Sequence, residues 1–195
     1  MFANFLAQVK PAARLFVWLS LLTGLAYPAL VTILGAGLYP VQSRGSLVKK
    51  DGVVIGSTLL GQPFAAPGYF QGRPSATAPT PYNAAASAGS NLAPSNPALA
   101  EAAAGRAQAL ADGTNDAPVP MDLATTSASG LDPHVSPAAA GWQIARVAAA
   151  RGLPAERVAA LVAAHTQGRW LGFWGEPRVN VLTLNLALDA AGASQ

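Results

Sequence analysis

The chain has no cysteine, little charge and only two histidines, and each shortage removes some chemistry. Without thiols there is no disulfide, no Cys-ligated zinc and no thiolate nucleophile. Charged residues make up 11% of the 195 positions, against about 25% in an ordinary soluble protein. Part of the chain therefore avoids water. His134 and His165 lack the His-Glu-x-x-His spacing of a zinc helix, and a lone histidine falls short of the ligand set that metal sites usually need. Neither a GxxxxGK[ST] phosphate loop nor a GxSxG nucleophile elbow occurs. Positive charge is scarce where a nucleic acid would need it. Lys10, Arg14 and Arg44 are the only charges before position 45, which leaves nine of each sign in the remainder from totals of 12 Lys+Arg and 9 Asp+Glu. A charge-balanced domain has no basic face to displace condensed counterions, so nucleic acid is not an expected partner.

What is present begins with a long apolar run. Residues 15–39, LFVWLSLLTGLAYPALVTILGAGLY, carry no charge. As a helix they would reach roughly 37 Å, enough to cross a hydrocarbon core of about 30 Å with some tilt. Trp18 and Tyr39 fall near the ends, where aromatic rings favour the interface. The run exceeds the apolar region of a cleaved signal peptide and lacks the polar face of a soluble helix. The reading is a tail over 1–14, a transmembrane helix over 15–39 and a soluble α/β (α+β) domain over 45–195. Pro28 lacks a backbone donor and frees a carbonyl one turn back. Gly24, Gly35 and Gly37 would let another helix approach. Lys10 and Arg14 before the run nearly balance Arg44, Lys49 and Lys50 after it, so charge alone does not orient the span.

In the soluble part, GSLVKKDGVVIGS reads as a β-hairpin turning at Asp51-Gly52. Three helices are expected from Pro-in, Gly-out punctuation: from Asn96-Pro97 to Gly113, from Ser136-Pro137 to Gly152, and from Pro154 to Gly168. Val158, Leu161, Val162 and His165 share one face of the last. RVNVLTLNLALD alternates, with Leu182, Leu184, Leu186 and Leu188 on one side, and predicts a strand. Residues 61–97 hold seven of the 16 prolines. Composition suggests a linker, but Tyr69, Phe70, Arg73 and Tyr82 supply more anchors than a spacer needs, and an ordered loop is the sharper expectation. SASGLDPHVSP (127–137) allows a catalytic reading of its serines and His134. The structural reading is favoured: Ser136 caps a helix and Asp132-Pro133 makes a turn.

GYFQGRPSA, SNLAPSNP, ASGLDPHVSPAAA and HTQGRWLGFWGEPRVNVLTLNLAL follow the apolar run in one order. This ordered set resembles the C-subunit family of the Kdp potassium-transporting P-type ATPase, over most of the chain. The resemblance implies an accessory subunit of the bacterial inner (plasma) membrane. Its partners would be a channel-like potassium-binding subunit, the P-type ATPase catalytic subunit and a small membrane peptide, with membrane lipid around the span. ATP and potassium would be used by the complex. The subunit would have no cofactor, metal or catalytic residue of its own, and no DKTGT phosphorylation motif is present. Two roles are implied: a catalytic chaperone that raises the ATPase subunit's affinity for ATP, and an extracytoplasmic cap or gate over the channel-like subunit. The expected topology has a cytoplasmic N-terminus and an exported domain. The family blocks fall on candidate contact residues Arg73, Ser75, Ser90, Asn91, Asn96, Ser127, Ser129, Asp132, His134, Ser136, Glu176, Arg178 and Asn180, with Glu176 and Arg178 expected to pair. Arg73, Asp132 and His134 are the leading three. A membrane-anchored hydrolase using a serine and His134 is the remote alternative.

Overall fold

The computed structural model describes residues 2–111 and 117–192. The chain divides into two compact units at Leu47/Val48.

The first unit is a helical run. Helix α1 (Phe2–Leu21) passes through a π-helical turn at Leu22–Ala26 into α2 (Tyr27–Leu38). The π turn sits where Pro28 makes its demand. A proline ring clashes with the carbonyl four residues back, here that of Gly24. Widening the turn at 22–26, so that the Tyr27 amide bonds to the Leu22 carbonyl, makes room while the helix continues. The Thr23 hydroxyl also donates to the Leu19 carbonyl, at 2.7 Å. Residues Ala7–Leu38 form a helix of 32 residues whose 18-residue apolar stretch has mean hydropathy 1.8, long and apolar enough to cross a membrane. Expected segment 15–39 lies in this run, with Tyr39 as its C-cap.

The soluble unit is α+β. Strands β1 (Leu47–Lys50) and β2 (Val53–Ser57) make the expected hairpin. Asp51 and Gly52 adopt φ of 51° and 79°, the positive values a two-residue type I′ turn requires. After a long irregular segment come α3 (Pro97–Leu110), α4 (Met121–Ala124), β3 (His134–Val135), α5 (Pro137–Trp142), α6 (Ile144–Arg151), α7 (Ala155–Ala164), β4 (Thr166–Gln167), β5 (Arg178–Asn180) and α8 (Val181–Gly192). The second sheet has order β3-β5-β4 and is antiparallel. His134 pairs with Asn180, while Val179 lies between Val135 and Thr166. Val135, Val147, Val158, Val162, Val179, Leu184 and Leu188 form the core with Phe70, which is fully buried.

Several expectations need correcting. The segment expected as a strand over 178–189 is a strand only to Asn180; α8 follows. Of its five buried positions, Val181, Leu184, Asn185 and Leu188 are spaced i, i+3, i+4, i+7, a helical face, and Leu182 is buried beside them. Counting Asn185 as a surface residue hid that period and left the leucine alternation in view. Asn180 starts the helix by accepting the Thr183 amide at 3.1 Å. The helix expected over 136–152 breaks at Gln143, whose amide bonds back only three residues to Ala140. Gly152 ends α6 with φ 64°. Helix α7 stops at Ala164, with His165 as its C-cap, and the chain enters β4 before Gly168. Asn96 caps α3 through the Ala98 amide; the expected stop at Gly113 lies outside the described residues.

The proline-rich stretch is ordered by specific bonds. Asn185 and Gln143, each 1% exposed, present carboxamides to consecutive peptide groups. Asn185 accepts from the Phe70 amide and donates to the Phe70 carbonyl, both at 2.9 Å. Gln143 accepts from the Gln71 amide at 2.8 Å and donates to the Gln71 carbonyl at 3.1 Å. These side chains play the part a neighbouring strand would play. Arg146 donates to the carbonyls of Pro67 and Tyr69, and Arg151 to that of Gly68. Arg151 also lies 4.5 Å from the centre of the Tyr69 ring and pairs with Asp189 at 2.7 Å.

Candidate functional site: an ion-paired cleft

Segment 127–137 runs into β3, and β3 pairs with β5, so His134 and Arg178 come from adjoining strands of one sheet. The ordered loop adds Arg73 and α4 adds Asp122. Together they line an open cleft of about 540 Å³ with Met121, Thr125, Asp132, Val135, Ser136, Glu176 and Pro177.

Asp132 is its hub. The carboxylate accepts the His134 backbone amide at 3.0 Å, closing an Asx turn. His134 Nδ1 lies 3.6 Å from the same oxygen, and Arg73 Nη1 lies 3.5 Å from the other. Partial burial works to raise the Asp132 carboxyl, but hydrogen bonds from His134 and the charges of Arg73 and His134 outweigh it and hold the group below the usual carboxylate range. Arg73 Nη2 donates to the Thr126 carbonyl at 3.1 Å, while its buried Nε has no hydrogen-bond partner. Behind the cleft, the Tyr82 hydroxyl donates to the Arg73 carbonyl. Burial, then the Asp132 charge, push that phenol up to about 12, so it stays protonated and donating.

The cleft gathers six of the thirteen sequence candidates: Arg73, Asp132, His134, Ser136, Glu176 and Arg178. The others serve the scaffold or lie apart. Ser75 accepts from the Tyr82 amide and donates to the Gly130 carbonyl. Ser127 and Ser129 accept from the amides of Gly130 and Leu131. Asn180 donates to the Thr58 carbonyl at 2.8 Å while capping α8. Asn96 caps α3. Ser90 and Asn91 are exposed, and Asn91 has φ 52°. The expected Glu176–Arg178 pair does not form. Glu176 takes both its bonds from Arg169, at 2.8 and 3.0 Å, and Arg178 donates to Gln167 across the β4–β5 ladder. The ladder sets Gln167 opposite Arg178, which gives Arg178 a neighbour nearer than Glu176.

Sequence reasoning missed Met121, Asp122 and Thr125. Asp122 accepts the Ser136 amide at 2.7 Å, and the Ser136 hydroxyl accepts the Ala139 amide at the start of α5. No local signal marks a residue fourteen positions upstream as a partner. The serine hydroxyls at 75, 127, 129 and 136 all accept backbone amides. That is scaffold chemistry, unlike a hydroxyl held by a histidine base.

A helix long and apolar enough to cross a bilayer, followed by an α+β head bearing an ion-paired cleft, fits the class of membrane-anchored proteins. A family described as K+-transporting ATPase, c chain, matches residues 9–190. Relatives carrying the name Potassium-transporting ATPase KdpC subunit come from Sorangium cellulosum, 61% identical over 95% of this chain and 99% of the relative, and from Variovorax paradoxus, 61% identical over 96% and 98%. That from Burkholderia ambifaria is 58% identical over 95% and 97%. The chain belongs to the KdpC family.

Proposed function

We propose that this chain is the accessory subunit of an ATP-driven potassium-uptake complex in the bacterial plasma membrane. Its partners are a channel-like potassium-binding subunit, the P-type ATPase subunit and a small membrane peptide. The observation that carries the reading is the family match, which runs through both the span and the head, from residue 9 to residue 190. The head lies outside the cytoplasm and caps the channel-like subunit, with the Arg73–Asp132–His134 cleft as its contact. The unpartnered Arg73 Nε supports this, because a buried donor without an acceptor costs about 1–3 kcal/mol. An acceptor on the neighbouring subunit would relieve that cost.

A head outside the membrane cannot touch ATP bound in the cytoplasm. Any rise in the ATPase subunit's affinity for ATP is therefore a coupling through the complex, equal in both directions. Potassium-limited growth of a strain lacking this gene, complemented with His134→Ala, tests the contact. Slow growth with the chain still folded and membrane-bound is expected; growth equal to wild type overturns it. The absence of cysteine makes topology directly testable. With single cysteines at Lys10 or Ala191, a membrane-impermeant reagent applied to intact cells should label only the latter.

A further inference from the structure

The turn between β4 and β5 carries a cluster that the cleft does not use. Trp170, Leu171, Phe173 and Trp174 are 68%, 67%, 69% and 68% exposed. The turn itself is well formed. Trp170 and Trp174 exchange backbone bonds of 2.8 and 2.9 Å, and Leu171 and Gly172 take φ of 53° and 82°. A leucine held at positive φ is uncommon, since its Cβ crowds the backbone there. The turn tolerates that cost and still leaves the leucine in water. Side chains this exposed on a tight turn project as a tip. At the base, Arg169 pairs with Glu176, and Arg178 leaves one net positive charge.

We propose that Trp170–Trp174 is a membrane-docking tip that inserts into the interface of the bilayer crossed by the span. The proposal rests on the anchored reading and uses none of Arg73, Asp132 and His134, although Glu176 and Arg178 at the base of the tip also line the cleft. Three observations favour lipid. Tryptophan and neighbouring apolar side chains with arginine at their base suit the boundary between acyl chains and headgroups. The remaining positive charge, on Arg178, suits the headgroup phosphates present on either face of a bilayer. Only eight residues separate Leu38 at the end of α2 from Leu47 at the start of β1, and fully extended they reach about 29 Å. The tether confines the head to the neighbourhood of the bilayer, so weak insertion suffices.

The absence of cysteine supplies the test. Phe173→Cys, and Glu101→Cys on α3 as control, would each carry one environment-sensitive fluorophore. The full chain would be placed in nanodiscs of phosphatidylethanolamine and phosphatidylglycerol, with nitroxide on shallow acyl positions. The label at 173 is expected to be quenched about twofold by the nitroxide lipid and protected several-fold from aqueous iodide relative to the label at 101. Adding Trp170→Ser and Trp174→Ser should restore iodide access. Equal iodide access at both positions without lipid quenching would overturn the proposal. Iodide protection without lipid quenching would also overturn it, in favour of a protein contact. Failure of the anchored reading would look different: the chain would stay out of the discs.

Discussion

Two irregular segments of the head make opposite use of similar punctuation. The 61–96 segment is rich in proline and glycine yet is pinned from within: Phe70 is fully buried, and Asn185 and Gln143 hold the peptide groups at 70 and 71. The 169–176 turn is braced by its own bonds, Arg169–Glu176, the Trp170–Trp174 bridge and the amides of Gly172 and Phe173, and leaves its aromatic side chains exposed. The first buries Phe70 in the core; the second leaves its aromatics exposed. Composition does not separate the two, but the destination of the side chains does.

Substitutions should widen or erase that contrast. Phe70→Ala should have the largest effect, lowering stability by about 3–5 kcal/mol through the cavity it leaves. Urea unfolding of the full chain in detergent, followed by near-UV circular dichroism, would measure it. Asn185→Leu should come next, at about 2–3 kcal/mol, because it leaves the Phe70 amide and carbonyl buried without partners. A change within error at Asn185 would show that its bonds to Phe70 add nothing to the hold that Gln143, Arg146, Arg151 and burial keep on the loop.

Asp132 predicts a pH effect with a definite sign. Its carboxyl is held below its unfolded value. The stability it contributes is fully present above the unfolded pKa and fades as pH falls through the lower folded pKa. Asp132→Asn should flatten that acid limb, by less than about 1 kcal/mol given partial exposure. Titrating the unfolding midpoint of both proteins below neutral pH would show it. Trp174→Ser should be smallest, within about 0.5 kcal/mol in the same unfolding assay. A large loss there would mean that the tip belongs to the fold.

How much of this could be read in the sequence depended on how local each signal was. Asp51-Gly52 announced its hairpin because the turn's φ values are a property of those two residues. Asn96-Pro97 and Ser136-Pro137 marked helix starts for the same reason. The C-terminal segment was misread because the residue that completes its helical face, Asn185, earns its buried place from a backbone 115 positions away. Gln143 broke an expected helix while bonding to the same distant loop. At the cleft, resemblance singled out Arg73, Asp132 and His134, and the fold brings them together. Asp122 and Met121 carry no motif and became visible only when α4 met the start of α5.

Co-purification tests the central claim most directly. The tagged full chain, extracted in mild detergent from potassium-starved cells, should bring down a P-type ATPase subunit and a channel-like subunit in fixed ratio, and Arg73→Ala with His134→Ala should weaken that recovery. A wild-type chain that emerges alone, while the ATPase and channel-like subunits still assemble and transport potassium without it, would contradict the account.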